Sequence, residues 1–255
     1  MIGPERFEST STSLSVQSPT VLSASVVIPT YNRAKSLMRT LKAIFAQKRM
    51  PQEVVIVDDH SSDDTSVECK RLLGKNLPFN LVYLRQKRNL GPAAARNLGV
   101  MNAMHDCILF TDDDCEPEPI WAGALMKQMY ASPQLAGVGG PVLSAEQSKL
   151  GLFFDYHRML DPKFIDNYPV YLVTANAAYK KDWILRVGGF NEGLSRPGGE
   201  DPGLSFKISA AGGKFGFAPQ AVVRHHYPSK YKSIVRMFWN YGYGGCHVAL
   251  ANTDL

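Results

Sequence analysis

An α/β fold, built on a mostly parallel central sheet flanked by helices, is predicted from three observations. Apolar, β-branched runs alternate four times with helical patterns between Ser25 and Phe110, and such alternation gives parallel strands covered on both faces. The polar clusters Thr30-Tyr31-Asn32-Arg33, Asp58 to Asp64 and Asp112 to Asp114 each follow an apolar run. They therefore converge beyond the carboxyl ends of the strands, where open α/β sheets bind ligands. The 255 residues hold no internal repeat and no long linker, which assigns a single domain after an N-terminal tail.

The elements follow in order. Ser25 to Pro29 is a buried strand, and Leu37, Leu41, Ile44 and Phe45 share one face of the next helix. Glu53 to Val57 is a second strand, ending in Asp58-Asp59. Asp63 caps a helix reaching about Leu73, with Val67 and Leu72 turned inward. Asn80 to Leu84 is a third strand. Gly91-Pro92 opens a helix over Ala93 to Val100, with proline at a tolerated first-turn position. Cys107 to Phe110 is a fourth strand. In the less regular second half, Leu135 to Leu143 and Val170 to Tyr179 are expected as strands, and Gly188-Gly189 ends a short helix from Ile184. A helix spans about Asp201 to Ala211, then strands at Lys214 to Phe217 and Ala221 to Arg224. Ile234, Val235, Phe238 and Trp239 mark a last helix running into the Gly-rich Tyr241 to Gly245.

Hydrophobic residues make up 45% of the chain and charged residues 20%, a globular balance that excludes a chain disordered throughout. Residues 1–24, rich in Ser and Thr, are expected to form a disordered tail. The net charge of +5 suits an anionic ligand or surface and is too weak to point to nucleic acid. Cys69, Cys107, Cys115 and Cys246 form no CxxC pair, so neither a zinc site nor a disulfide framework is indicated. No uncharged apolar run approaches the ~20 residues that span a bilayer, and the first residues lack the pattern of a secretory signal. A cytoplasmic protein is the expectation, with peripheral contact at the inner face of the plasma membrane left open.

Several clusters carry chemistry. Asp112, Asp113 and Asp114 repel one another unless a cation is present. Mg²⁺ or Mn²⁺ there would share its shell with diphosphate oxygens, and a solvated acidic turn is the alternative. Asp58 and Asp59 can accept hydrogen bonds from ribose hydroxyls or a base, or serve in helix capping. Tyr31 can stack on a base or simply pack, and Arg96 can face the crevice or form a salt bridge. Glu200-Asp201, after two glycines, offers a general base for a hydroxyl nucleophile or a helix cap. His225 and His226 point in opposite directions on a strand, so at most one completes a metal shell or meets a diphosphate.

Taken together, VVIPTYNR (26–33), EVVIVDDHSSDDT (53–65), NLGPAAARN (89–97), FTDDD (110–114), TANAAYKKDWILRVGGFNE (174–192), GGEDPGLSFKISAAGGKFGFAP (198–219) and VVRHH (222–226) make the chain resemble family 2 glycosyltransferases of the GT-A fold. The resemblance covers nearly everything from Ser25 to about Gly245. It implies a Rossmann-like sheet, with a nucleotide-binding half over 25–118, an acceptor half over 119–228 and a helical segment over 229–255. It also implies an inverting transfer from a nucleotide-diphosphate sugar, by default a UDP-sugar, to a glycan, glycolipid or lipid-linked acceptor, with Mn²⁺ or Mg²⁺.

Residue by residue, Pro29, Thr30, Tyr31, Arg33, Asp58 and Asp59 would meet the nucleotide sugar, with Arg96, Asp112 and Asp113. Asp112, Asp114 and His225 would hold the metal. Asp201 would be the base, with Glu200 supporting it. No QxxRW follows the acid pair, so transfer of one or a few sugars is expected rather than polymer extrusion. Two competing classes stay open: a non-catalytic sugar-nucleotide or glycan-binding protein, and a sugar-phosphate nucleotidyltransferase. The second would carry a Gly-rich basic loop after the first strand, where this chain has Pro29 to Arg33.

Overall fold

The computed structural model describes residues 5–8, 23–194 and 196–251. After β1 (Glu5–Glu8), strand and helix alternate through β2 (Ser25–Thr30), α1 (Ala34–Phe45), β3 (Glu53–Asp58), α2 (Thr65–Leu73), β4 (Asn80–Arg85), α3 (Pro92–Asn102) and β5 (Cys107–Phe110). The parallel order is β4-β3-β2-β5. Alternate residues of a strand face opposite ways. Val26, Ile28, Val54 and Ile56 therefore feed one core beneath α1 and α2, and Val27, Val55 and Val57 feed the other beneath α3. Helix α3 lies so close to the sheet that a Cβ on Gly99 would collide with Val27. Proline lacks the N–H a central strand uses, but β5 pairs only with Ser25 to Val27, so Pro29 lies past the last rung on that side.

The second half begins with β6 (Cys115–Pro117), α4 (Trp121–Ala131), β7 (Leu135–Gly139), β8 (Val142–Ser144) and α5 (Lys149–His157). A small hairpin, β9 (Phe164–Ile165) and β10 (Tyr168–Pro169), leads to a 3₁₀ turn at Thr174–Asn176. Then come β11 (Ala177–Lys180), α6 (Lys181–Arg186), α7 (Glu200–Ala210), β12 (Lys214–Phe217), β13 (Val223–His225) and α8 (Tyr231–Ala251). Strand β11 inserts antiparallel between β5 and β7, and β12 completes the far edge parallel to β7. A second sheet, β6-β13-β8, stands at the carboxyl end of the first.

Four expectations need correction. The proposed tail enters the sheet at Glu5–Glu8, paired antiparallel with β4. Phe7 stacks on Tyr83 at 6.1 Å and Lys70 lies 4.9 Å above its ring. Ala24 is fully buried, while the other tail residues up to 22 lie outside the described residues. Val67 is exposed; Thr65, Cys69 and Leu72 form the inner face of α2 instead. The single strand expected over Leu135 to Leu143 breaks at Gly140-Pro141, because β7 and β8 belong to different sheets. A Cβ on Gly140 would strike the Ala221 carbonyl. The strand expected over Val170 to Tyr179 is strand only from Ala177; Thr174–Asn176 turns so that the Asn176 side chain can bridge Trp121 Nε1 (2.8 Å) and the Pro141 and Ala221 carbonyls.

Candidate active site

The loops after β2 and β3 are sewn together by their own polar groups. Asn32 adopts a positive φ of 54°, and its side-chain oxygen accepts from Ser62 N at 2.6 Å. Its backbone N–H donates to Ser61 Oγ. Asp63 serves two helices at once, accepting from Ala34 N at 3.0 Å and from the backbone and hydroxyl of Thr65. Tyr31 is left exposed at the rim.

Asp58 departs from its expected role. It is fully buried, and its carboxylate accepts from Ser61 N (2.7 Å), Tyr83 OH (2.6 Å) and Arg85 (3.0 Å). Those bonds hold the loop and leave little acceptor capacity for a ligand. Asp59 accepts from Gln86, Leu90 N and Gly91 N, each at 2.8 Å. Burial is the main influence on this carboxyl and raises its pKa against the lowering effect of those two N–H groups. Asn97 clamps the loop after α6, exchanging hydrogen bonds with both backbone groups of Phe190.

The three consecutive aspartates after β5 take three different partners. Asp112 Oδ1 pairs with Arg96 at 2.7 Å. Asp113 is buried and accepts from Thr30 Oγ1 at 2.7 Å and Arg33 at 3.0 Å. Burial, against Arg33, pushes its pKa up to about 7. Asp114 pairs with Arg33 and lies 3.3 Å from His225 Nε2. Burial works to raise this carboxyl too, but His225 and Arg33 prevail and hold it below the ordinary range.

His225 is brought to Asp114 by strand pairing: it sits opposite Cys115 across β13 and β6. Asp114, Cys115 and His225 each offer one ligand atom within 4.8 Å of the others, and His225 Nδ1 is buried without a partner. A hard divalent cation fits this set through Asp114 and His225. Asp112, expected among the ligands, stands outside it, on Arg96. His226 points the other way, bridging Glu116 and Glu146 at 2.5 Å each.

Glu200 and Asp201 open α7. Glu200 is buried and accepts from Gly198 N at 2.5 Å. Its other oxygen meets Arg96 at 3.1 Å, so Arg96 is spent between Asp112 and Glu200 rather than left free for a nucleotide. Asp201 is half-buried and accepts from the hydroxyl (2.7 Å) and N–H (3.0 Å) of Thr174. Burial raises its pKa to about 7, with Arg96 opposing and Glu200 and Asp112 adding to the rise. A carboxylate poised there suits general-base work at neutral pH.

Two partners of the acids escape local sequence patterns. Thr174 fixes Asp201 from the turn before β11. Tyr241 on α8 has its hydroxyl pushed upward first by burial and then by the carboxylates of Asp114, Asp112, Asp201 and Glu200. Gly199 has φ of +87°, and a Cβ there would lie 2.6 Å from the Gly244 carbonyl; one on Gly244 would collide with Gly198. Gly244→Ala is therefore expected to cost about 1–3 kcal/mol and to loosen the loop bearing Glu200 and Asp201. A thermal melt equal to that of the parent would refute this contact.

The fold is that of a GT-A glycosyltransferase. The structure of GalNAc-T7 with UDP, GalNAc and Mn²⁺ matches with a TM-score of 0.63 at 20% identity, over 82% of this chain and 45% of that one. The mannosyltransferase PcManGT from Pyrobaculum calidifontis, in complex with GDP-Man and Mn²⁺, matches at 0.62 and 22% identity, over 84% of this chain and 59% of that one. The chain belongs to glycosyl transferase family 2, whose model matches residues 25–184. The chondroitin synthase of Escherichia coli is 28% identical over 240 residues, covering 80% of this chain. The chain spans about a third (34%) of that relative's length.

Proposed function

We propose that the protein is an inverting glycosyltransferase that moves a sugar from a nucleotide-diphosphate sugar, by default a UDP-sugar, to a hydroxyl of a glycan, glycolipid or lipid carrier. The observation that carries this is the meeting of two acid groups at one end of the sheet. Asp112 to Asp114 with His225 form one, Glu200 and Asp201 the other, and Arg96 bridges them.

Asp201, with its raised pKa, takes the proton of the acceptor hydroxyl. The acceptor oxygen bonds to the anomeric carbon as the bond from that carbon to the diphosphate oxygen breaks, so configuration inverts and no covalent enzyme intermediate forms. Thr174 and Glu200 orient the base and its loop. Pro29, Thr30, Tyr31, Arg33 and Asp59 border the nucleotide. Asp114 and His225 would hold Mn²⁺ or Mg²⁺, which when bound supplies positive charge for the leaving diphosphate. Among the described residues no helix is long and apolar enough to cross a membrane.

Melting with UDP-, GDP- and dTDP-sugars, with and without Mn²⁺, tests the donor site, because a ligand selective for the native state raises Tm. A Mn²⁺-dependent rise with one nucleotide class, lost in Asp114→Ala, is expected. No rise with any donor would sink the proposal.

A further inference from the structure

Helix α8 has two dissimilar faces. Met237, Tyr241 and Val248 pack inward, and Gly244 meets the loop before α7. Four residues apart on the outward side run Tyr231, Val235, Trp239 and Tyr243, which are 80%, 49%, 67% and 47% exposed. Side chains at that spacing share one helix face, so this is a continuous stripe rather than scattered apolar residues. Phe238 extends it sideways by stacking on Phe154 of α5 at 6.1 Å, beside which Phe153 and Tyr156 are also exposed.

The charge along α8 has one sign. Lys230, Lys232 and Arg236 are exposed, and no Asp or Glu occurs from Lys230 to Ala251. Among the described residues, none of the three cations has an ion-pair partner. Lys232 and Arg236 lie along the stripe itself. A second copy docking stripe to stripe would set these cations against each other with no acid between them. An anionic bilayer complements them, with aromatic rings at the headgroup level and lysine and arginine on the phosphates.

We infer that α8 lies flat in the interface of an anionic lipid bilayer, as a docking surface separate from the acid cluster. The helix is too polar to span. Its inward face rests on the loop that bears Glu200 and Asp201, so docking holds that loop about one helix diameter, ~10 Å, from the lipid surface. Docking requires no catalysis, so it stands or falls apart from the transferase proposal.

The test floats the full chain with vesicles of phosphatidylcholine, alone or mixed with phosphatidylglycerol. Flotation is expected only with the anionic vesicles, weakening as salt rises. Replacing the three cations together (Lys230→Gln, Lys232→Gln, Arg236→Gln) is expected to lower vesicle affinity about 100-fold. The pair Val235→Ser and Trp239→Ser is expected to abolish flotation. Both variants should melt with the parent, because the changed side chains are exposed. Three outcomes would each overturn the inference: no flotation with anionic vesicles, equal flotation with both kinds, or self-association in sedimentation velocity that the same substitutions remove.

Discussion

Asp201→Asn is expected to lower the rate of sugar transfer by about 10³-fold, within the 10²–10⁴ a positioned general base contributes, while donor-induced melting shifts persist. The substitution is close to isosteric. Asn keeps one acceptor for Thr174, and its amide can donate to the Thr174 hydroxyl, so loss of activity would report loss of the base. The parent's pH profile gives a second check. A base works deprotonated, and burial places this carboxyl at about 7, so kcat/KM should rise with pH through about 7 and level off above it. The same shift has a stability consequence of opposite sign. A carboxyl whose pKa is higher folded than unfolded favours the fold below its unfolded value, about 4, and that contribution disappears as pH climbs through the folded value. Asp201→Asn should therefore melt higher than the parent at pH 8 and nearly level with it at pH 4. A variant that kept full activity, or melted lower at pH 8, would remove Asp201 from the proposed role.

Arg96→Ala is expected to be the most destabilising substitution in the site. Arg96 is buried and joins Asp112 at 2.7 Å to Glu200 at 3.1 Å. Removing one partner of a buried ion pair leaves uncompensated charge and costs about 3–5 kcal/mol, which is a fall in Tm of roughly 10 °C for a chain of this size. Arg96→Lys keeps the charge but cannot reach two carboxylates with a planar fork, so an intermediate melt is expected. Equal melts for parent and Arg96→Ala would show that the acids do not need this guanidinium.

The nucleotide-binding half was legible because its signals are local. Runs such as Val54 to Val57 are buried on both faces and read as strands without knowledge of their neighbours. The Gly91-Pro92 start of α3 and the acids after β5 likewise follow from adjacent residues. Val67 misled because one apolar residue on a short, mostly polar helix says little about which face is inward. The strands expected over Leu135 to Leu143 and Val170 to Tyr179 were too long for a related reason: an apolar run does not announce where it changes sheets. The edge strand at Glu5–Glu8 was invisible because all four of its residues are exposed, and exposed alternation looks like a polar tail.

The sequence by itself determined the class of fold and the identity of the acidic clusters, because strand alternation and the placement of polar loops at strand ends are properties of neighbouring residues. The tertiary structure alone decided which atoms those acids meet. Arg96 joins residues 16 and 104 positions away from it, Asp58 turns inward to Tyr83 and Arg85, and Thr174 grips Asp201 across 27 positions. Such partners are chosen by the packing of distant elements, and the raised pKa of Asp201 follows from the burial and charges that this packing assembles.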